Sequence, residues 1–436
     1  MAERIKTLIN KDSFLLFLSF ICANMFFFTL HLIYEKSISV VYFYEGFFNN
    51  FSAINFLLSY FMFLILLIFN LRFICSPKRA SEYVILLLFF VAYSPSNVLF
   101  SFGVTDMEYF IITQVYWLLL TLVVWWLPSK CVYKLPVPPE NMRNGMSKLL
   151  VFFSCSIIMF VFIKYAKFSF MLELYEVGSL RLAAREYPMP RILVYLFGFA
   201  RAAIPIFLGY TILNKRWRAT LILLLILFCD FSVDGSKSVY FVTMLVVVVS
   251  VFYNSFFNKI FAILMFFGVA VSYALSQVGF GLINGLIVRR VFFVPQQLSY
   301  CYYDYIQNNV PNYFNNLLRF IGLTNFKPNI AFLVGELYFN DPILSANTGL
   351  IGDAFWNLGM CGIVVFPLII GVLLYIVDLT LNNNHSNSLV LIISIIIVLG
   401  LLSSSIFTVL LTHGLFFQLV VLLFLPNTNR FKGQLQ

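Results

Sequence analysis

The sequence predicts an all-α polytopic membrane protein of about twelve transmembrane helices, a single integral domain over residues 1–436. Three observations carry that expectation. First, 61% of the residues are hydrophobic and only 11% are charged, with a mean hydropathy of +0.94. A soluble domain carries about 25% charged residues, so this chain has too little polar surface for a soluble enzyme or a disordered segment. Second, the apolar residues form long continuous runs rather than the alternation of an outer-membrane barrel. Third, Lys and Arg gather at both ends of the chain and after the second, fourth and sixth runs.

The runs fall near 13–34, 51–71, 83–103, 109–127, 149–166, 192–213, 219–233, 238–257, 260–283, 350–380, 388–403 and 404–426. The run at 219–233 is short, and only Ser403, Ser404 and Ser405 divide the last two. Residues 13–34 are too long for a cleaved signal peptide, and no small-residue cleavage site follows them. Basic residues precede the first run (Arg4, Lys6, Lys11) and follow the second (Arg72, Lys78, Arg79), the fourth (Lys130, Lys134, Arg143, Lys148) and the sixth (Lys215, Arg216, Arg218). The tail adds Arg430 and Lys432. With twelve spans all of these lie on one side, so both termini are expected in the cytoplasm. The intervening segments 35–50 and 104–108 hold a single basic residue, Lys36.

Two outer segments depart from that pattern. Residues 167–191 contain Lys167, Arg181, Arg185 and Arg191, and residues 284–349 contain Arg289, Arg290, Arg319 and Lys327. Long loops are less bound by the topology rule, so this charge either is incidental or faces an anion. Arg181 and Arg185 stand at i, i+4, which on a helix puts two guanidinium groups on one face, a spacing suited to the oxygens of a diphosphate. A solvated or headgroup-facing stripe is the alternative. Pro188 and Pro190 end that segment, and Arg191 opens the sixth span. Arg201 lies ten residues deeper, where a charge faces a cavity or pairs with a carboxylate, Asp230 being the candidate. Asp234 follows Asp230 at i+4, and Lys237 is either its turn partner or a further outer cation.

The longer loop opens with adjacent Arg289 and Arg290, which point to different sides. Tyr300, Tyr302, Tyr303 and Tyr305 surround Asp304. Their rings and hydroxyls serve equally as a platform for sugars or as an interfacial aromatic belt. Glu336, Asp341 and Asp353 are the carboxylates of the segment that follows, with Trp356 one turn after Asp353. His413, in the last span, is the histidine nearest a catalytic reading, though a lone His on an apolar helix is more often a core residue. His31, at the outer end of the first span, is similarly weak.

Other chemistries find no motif. The chain has no Walker glycine loop, no HExxH or zinc-spaced cysteine pair, and no Asp-x-Asp pair in an outer loop to hold a divalent cation. The seven cysteines do not form a disulfide framework; Cys301 and Cys361 are the two nearest the outer side.

In their order along the chain, SLRLAAREYPMPR (179–191), DGSKS (234–238), RRVFFVPQQLSYCYYDYI (289–306), VGELYF (334–339), ANTGLIGDAFWNLGMCGIVVFPLIIGVLL (346–374) and LLTHG (410–414) resemble the Wzy-type O-antigen polymerases. The likeness runs across most of the chain and rests on the ordered set, since each motif is loose. Some members of that family carry Arg-x10-Gly in both large periplasmic loops. Here no Gly stands eleven residues after Arg181, Arg185, Arg191, Arg289, Arg290 or Arg319.

The resemblance implies a glycosyltransferase-C-like fold in the bacterial inner membrane, with two cationic periplasmic loops (167–191 and 284–349). It implies a metal-independent, inverting polymerase without cofactors that acts in lipopolysaccharide O-antigen biosynthesis. Undecaprenyl-diphosphate-linked oligosaccharides would be its substrates, with membrane lipid and a chain-length regulator as partners and no nucleic acid. The growing chain would leave its lipid diphosphate for a sugar hydroxyl of a new unit. On that reading Arg181, Arg185, Arg191, Arg289 and Arg290 contact the diphosphate, with Lys237, Arg201 and Tyr303 as further substrate contacts. Glu336 and Asp353, then His413, are the candidate bases. An O-antigen ligase and a lipid-linked oligosaccharide flippase are the alternatives. A flippase needs cations along a central cavity and short loops.

Overall fold

The computed structural model describes residues 2–74, 77–130, 135–167, 170, 180, 184, 186–281, 284–315, 329–381 and 385–426. Among the described residues every regular element is helical. In chain order the main helices, short ones such as Ser255–Lys259 and Phe43–Glu45 aside, are α1 (Ser13–Val41), α2 (Ala53–Ile74), α3 (Ala80–Ser101), α4 (Met107–Lys130), α5 (Glu140–Lys164), α6 (Arg191–Leu213), α7 (Trp217–Asp234), α8 (Lys237–Phe252), α9 (Phe261–Gln277), α10 (Val294–Gln307), α11 (Ile330–Phe339), α12 (Leu350–Leu381), α13 (Asn387–Ser403), α14 (Ile406–Leu410) and α15 (Leu415–Phe424).

All twelve expected runs are helical. Eight of them (α1 to α6, α12, and α14 with α15) are long and apolar enough to cross a bilayer. The chain is therefore a multi-pass membrane protein by length and composition. The other four runs are α7, α8, α9 and α13. The last three have only 16 or 17 residues. Helix α7 reaches 18 residues but includes Arg218, Asp230 and Asp234.

The chain divides into two compact units. Unit 1 comprises residues 1–131, 255–375 and 401–406; unit 2 comprises 132–254, 376–400 and 407–436. In unit 1, α1 packs along α9, and α3 packs on α2. Helix α3 is 94% buried, against 28% for α2, which marks it as the central element. It passes through a π-helical turn at Phe89–Tyr93 just before Pro95. Polar side chains join the helices where water cannot. Ser101 Oγ meets His31 Nε2 at 3.1 Å and Ser59 Oγ at 2.7 Å. Gln114 donates to Asn97 Oδ1 (3.1 Å) and accepts from the Tyr93 hydroxyl (2.8 Å). His31 is thus a satisfied core residue.

The segment expected as the longest loop contains helices of its own. A π-helical stretch, Asn284–Phe293, leads into α10, which packs on the first turns of α12. Leu298, Cys301, Tyr302, Ile306, Ile330, Val334, Ala346 and Trp356 form one apolar cluster there. Asn329 caps α11, its side chain accepting from Ala331 N–H at 3.1 Å. The periodic apolar residues of YCYYDYI serve this packing, so most of those rings are core. Cys301 and Cys361 are free thiols.

In unit 2, α5 and α6 pack together. Helix α7 contacts both, α8 lies on α6 and α7, and α15 contacts α5 and α6. The last span is interrupted: residues 411–414 form a turn between α14 and α15. Gly414 sits at φ 69°, a left-handed conformation that glycine adopts without a Cβ clash.

Candidate functional site

Unit 2 contains a cavity of about 550 Å³, built from the ends of α6, α7 and α8 and from the break in the last span. The break fits there because α6 is bare at the point of contact. A Cβ on Gly198 would stand 2.4 Å from the Thr412 carbonyl oxygen, so only glycine lets the turn approach. Two turns later α6 contains Pro205, which offers no N–H to the carbonyl of Arg201. Gln418, from α15, donates to the Ala202 carbonyl at 3.0 Å and ties the two helices together beside the break. Backbone outside a regular helix is tolerated at membrane depth where it lines a cavity, and Thr412 and His413 do so.

The charged centre of the cavity is Arg201. Its Nε donates to Asp230 Oδ1 and Oδ2 at 2.9 and 3.0 Å, and its Nη2 donates to Asp230 Oδ1 at 2.7 Å. Its Nη1 donates to Asp234 Oδ2 at 2.8 Å. The guanidinium also lies 4.5 Å from the centre of the Phe197 ring. A guanidinium has five N–H groups; three are used here, which leaves two. The Asp230 side chain is 0% exposed, while those of Arg201 and Asp234 are 27% and 31% exposed. The ion pair weighed for Arg201 from the sequence is therefore present, and Asp234 joins it. A turn pair with Lys237 is one of the two alternatives the sequence leaves for Asp234; in the structure Asp234 spans Arg201 and the Ser236 N–H, which donates to its Oδ1 at 3.0 Å.

The rest of the lining is mixed. Ser236 and Ser238 meet through their hydroxyls at 2.7 Å, and Lys237 between them is exposed. Val194, Phe197, Leu227, Val239 and Val242 supply apolar wall. The N-terminus of α15 lies between the lining residues His413 and Gln418, and no side chain caps it. Such an end presents N–H groups and the positive pole of the helix dipole.

The sequence-predicted residues separate by unit. In unit 2, Arg201 and His413 share the cavity, Lys237 adjoins it, and Arg191 is exposed at the first turn of α6. Arg181 and Arg185 lie outside the described residues; Ala184, between them, lines the cavity. In unit 1, Arg289 pairs with Glu45 and stacks over Tyr42 at 4.1 Å, so its charge is already answered. Arg290 is exposed, as is Glu336 on α11. Tyr303 is only 2% exposed, packed against Tyr109 and Phe355 at 5.1 and 4.9 Å between ring centres.

Asp353 is 2% exposed, with both oxygens occupied. Oδ2 accepts from the Ile406 N–H at 2.7 Å, and Oδ1 accepts from Asn357 Nδ2 at 2.8 Å. It holds the start of α14 and is closed to a substrate hydroxyl. Sequence reading missed Thr412, Gln418, Ser236 and Ser238 as lining residues. The signal for Thr412 and Gln418 was Gly414, a helix breaker two residues after Thr412 within an apolar run.

No family model matches the chain, and neither the curated proteins nor the solved structures give a match.

Proposed function

We propose that this protein is a polymerase of lipid-diphosphate-linked oligosaccharides, acting in the cavity of unit 2 at the outer face of the bacterial inner membrane. The observation that carries the reading is the meeting of Arg201, Asp234 and His413, from three separate segments, at the one end of the helices that also bears Ala184, residues 186–191 and residues 234–238. In the proposed topology of twelve spans, with cytoplasmic termini and a glycosyltransferase-C-like arrangement, that end is periplasmic. Both reactants reach it from the bilayer, because each carries a prenyl tail.

The chemistry follows from the groups present. The anomeric carbon–oxygen bond to the diphosphate breaks and a new bond forms to the acceptor hydroxyl. Negative charge grows on the departing diphosphate, where the two remaining Arg201 N–H groups and the uncapped start of α15 stabilise it without reorganising. His413 takes the hydroxyl proton as general base. The resemblance to O-antigen polymerases and the cations flanking the cavity, Arg191 and Lys237, support the same reading. Asp353 plays no catalytic part in it, being closed off, and Arg289 is structural.

One observation favours a second reading, a lipid-oligosaccharide flippase. A broken helix beside a charged triad in an apolar bundle also suits transport. The test uses cells lacking the chromosomal gene and supplied with Arg201→Ala or His413→Ala. Loss of one preorganised donor lowers turnover about 10²–10³-fold, so the O-antigen ladder is expected to collapse to single-unit product. Normal ladders from both variants at normal protein levels would sink the assignment. Purified protein that elongates lipid-linked units in detergent excludes the flippase.

A further inference from the structure

We infer that Asp234 is a displaceable counter-ion: an entering diphosphate takes over the Arg201 Nη1 contact that Asp234 holds, while Asp230 keeps the guanidinium in place. The inference rests on the cavity being the lipid-diphosphate site proposed above, and it assigns the two carboxylates beside its cation different tasks.

The carboxylates differ in every respect that matters for exchange. Asp230 is fully buried and engages the inner edge of the guanidinium through both Nε and Nη2. Removing its partner would strand a charge in an apolar interior, which is strongly disfavoured. Asp234 makes one guanidinium contact, to Nη1, and its side chain is nearly a third exposed. It is also the last residue of α7, where the negative pole of the helix is unfavourable for a carboxylate. Its Oδ1 already accepts from Ser236 N–H, so the side chain keeps a partner when Oδ2 lets go.

Charge balance points the same way. Asp230 alone neutralises Arg201, and Asp234 is a second carboxylate on the same guanidinium, in a cavity whose other features attract anions. Those are the uncapped start of α15, the paired Ser236 and Ser238 hydroxyls, and Lys237 between them. A monoanion would only trade one carboxylate for another. A diphosphate brings more charge and several oxygens, and it can use Nη1 together with the spare N–H groups. Asp234 thus screens out weaker anions and holds the arginine ready in the empty site. The apolar wall of Val194, Phe197 and Leu227 suits the first units of a prenyl tail.

The test is binding to purified full-length protein in nanodiscs, with geranylgeranyl diphosphate and inorganic diphosphate as separate probes. Asp234→Asn keeps the shape and the Ser236 contact but removes the competing charge. It should bind geranylgeranyl diphosphate about fivefold tighter, the scale set by one partly exposed ion pair. Asp230→Asn should weaken binding, because the guanidinium loses its anchor. Tighter binding of the prenyl probe than of inorganic diphosphate identifies a lipid ligand; equal binding identifies the free anion. Unchanged or weaker affinity in Asp234→Asn with a wild-type thermal midpoint overturns the inference, as does a wild-type protein that binds neither probe. If Arg201 variants lose the ladder but Asp234→Asn does not tighten binding, the polymerase stands and the exchange falls. If binding tightens while Arg201 variants keep normal ladders, the exchange stands and the polymerase falls.

Discussion

Asp353 in unit 1 and Asp230 in unit 2 are both buried carboxylates on helices of a membrane protein, and their oxygens are satisfied in different ways. Asp353 is held by a backbone N–H and an amide, in packed surroundings. Asp230 is held by a guanidinium that fronts a cavity. The contrast teaches that burial of a charge does not by itself mark a site. What marks one is a partner with donors to spare and open volume to receive a ligand.

The largest effect expected from this contrast is at the ion pair. Arg201→Gln leaves Asp230 buried without its cation, which costs about 3–5 kcal/mol. It should lower the thermal midpoint and the protein level together. The double variant R201Q/D230N removes both charges and should recover most of that stability while remaining inactive in the ladder assay. If the double variant is as unstable as the single one, the pair does not act as a unit, and the contrast with Asp353 loses its basis.

Asp353→Asn should act on stability alone. The amide can still accept one hydrogen bond, but one acceptor becomes a donor facing Ile406 N–H or Asn357, at a cost of about 1–3 kcal/mol. Polymer formed per folded molecule should match wild type. A variant that folds normally yet makes no polymer would return Asp353 to the catalytic list and break the distinction drawn here.

The sequence disclosed the helical runs because twenty-residue apolar stretches have few alternatives in lipid. It also disclosed the Arg201–Asp230 pairing, because a cation ten residues inside a span needs an anion at similar depth. Its reading of residues 284–349 as a loop underrated YCYYDYI and IAFLVGELYF, which are amphipathic or apolar helices packed on their own core. Tyr303 reads as a substrate contact and Asp353 as a candidate base because tyrosine and aspartate carry chemistry. Whether such a side chain faces a cavity or a neighbour depends on tertiary packing, and spacing along one helix does not encode it. The break at 411–414 escaped notice because Gly414 is a single residue in a run whose mean hydropathy is unaffected. Only the approach of Gly198 makes it a wall of the site.

The smallest effect expected is a pH dependence at His385, a buried group in unit 2 that lies outside the spans and does not line the cavity of that unit. Burial holds its imidazole down to about 4, below the ordinary 6.5; nearby Arg143 acts in the same direction, while a backbone hydrogen bond with Leu422 opposes them. The ring is therefore neutral when folded, and the unfolded chain binds the extra proton between these two values. Stability from this group is full above pH 6.5 and falls as the pH drops toward 4. Between pH 7 and 5.5 the loss amounts to about 1 kcal/mol, read as a lower thermal midpoint in detergent. His385→Gln should flatten that part of the profile and leave the ladder intact, since the residue serves packing as Asp353 does. A ladder lost in a folded His385→Gln protein would show that a buried group away from the cavity governs activity, against the rule that separates Asp353 from Asp230.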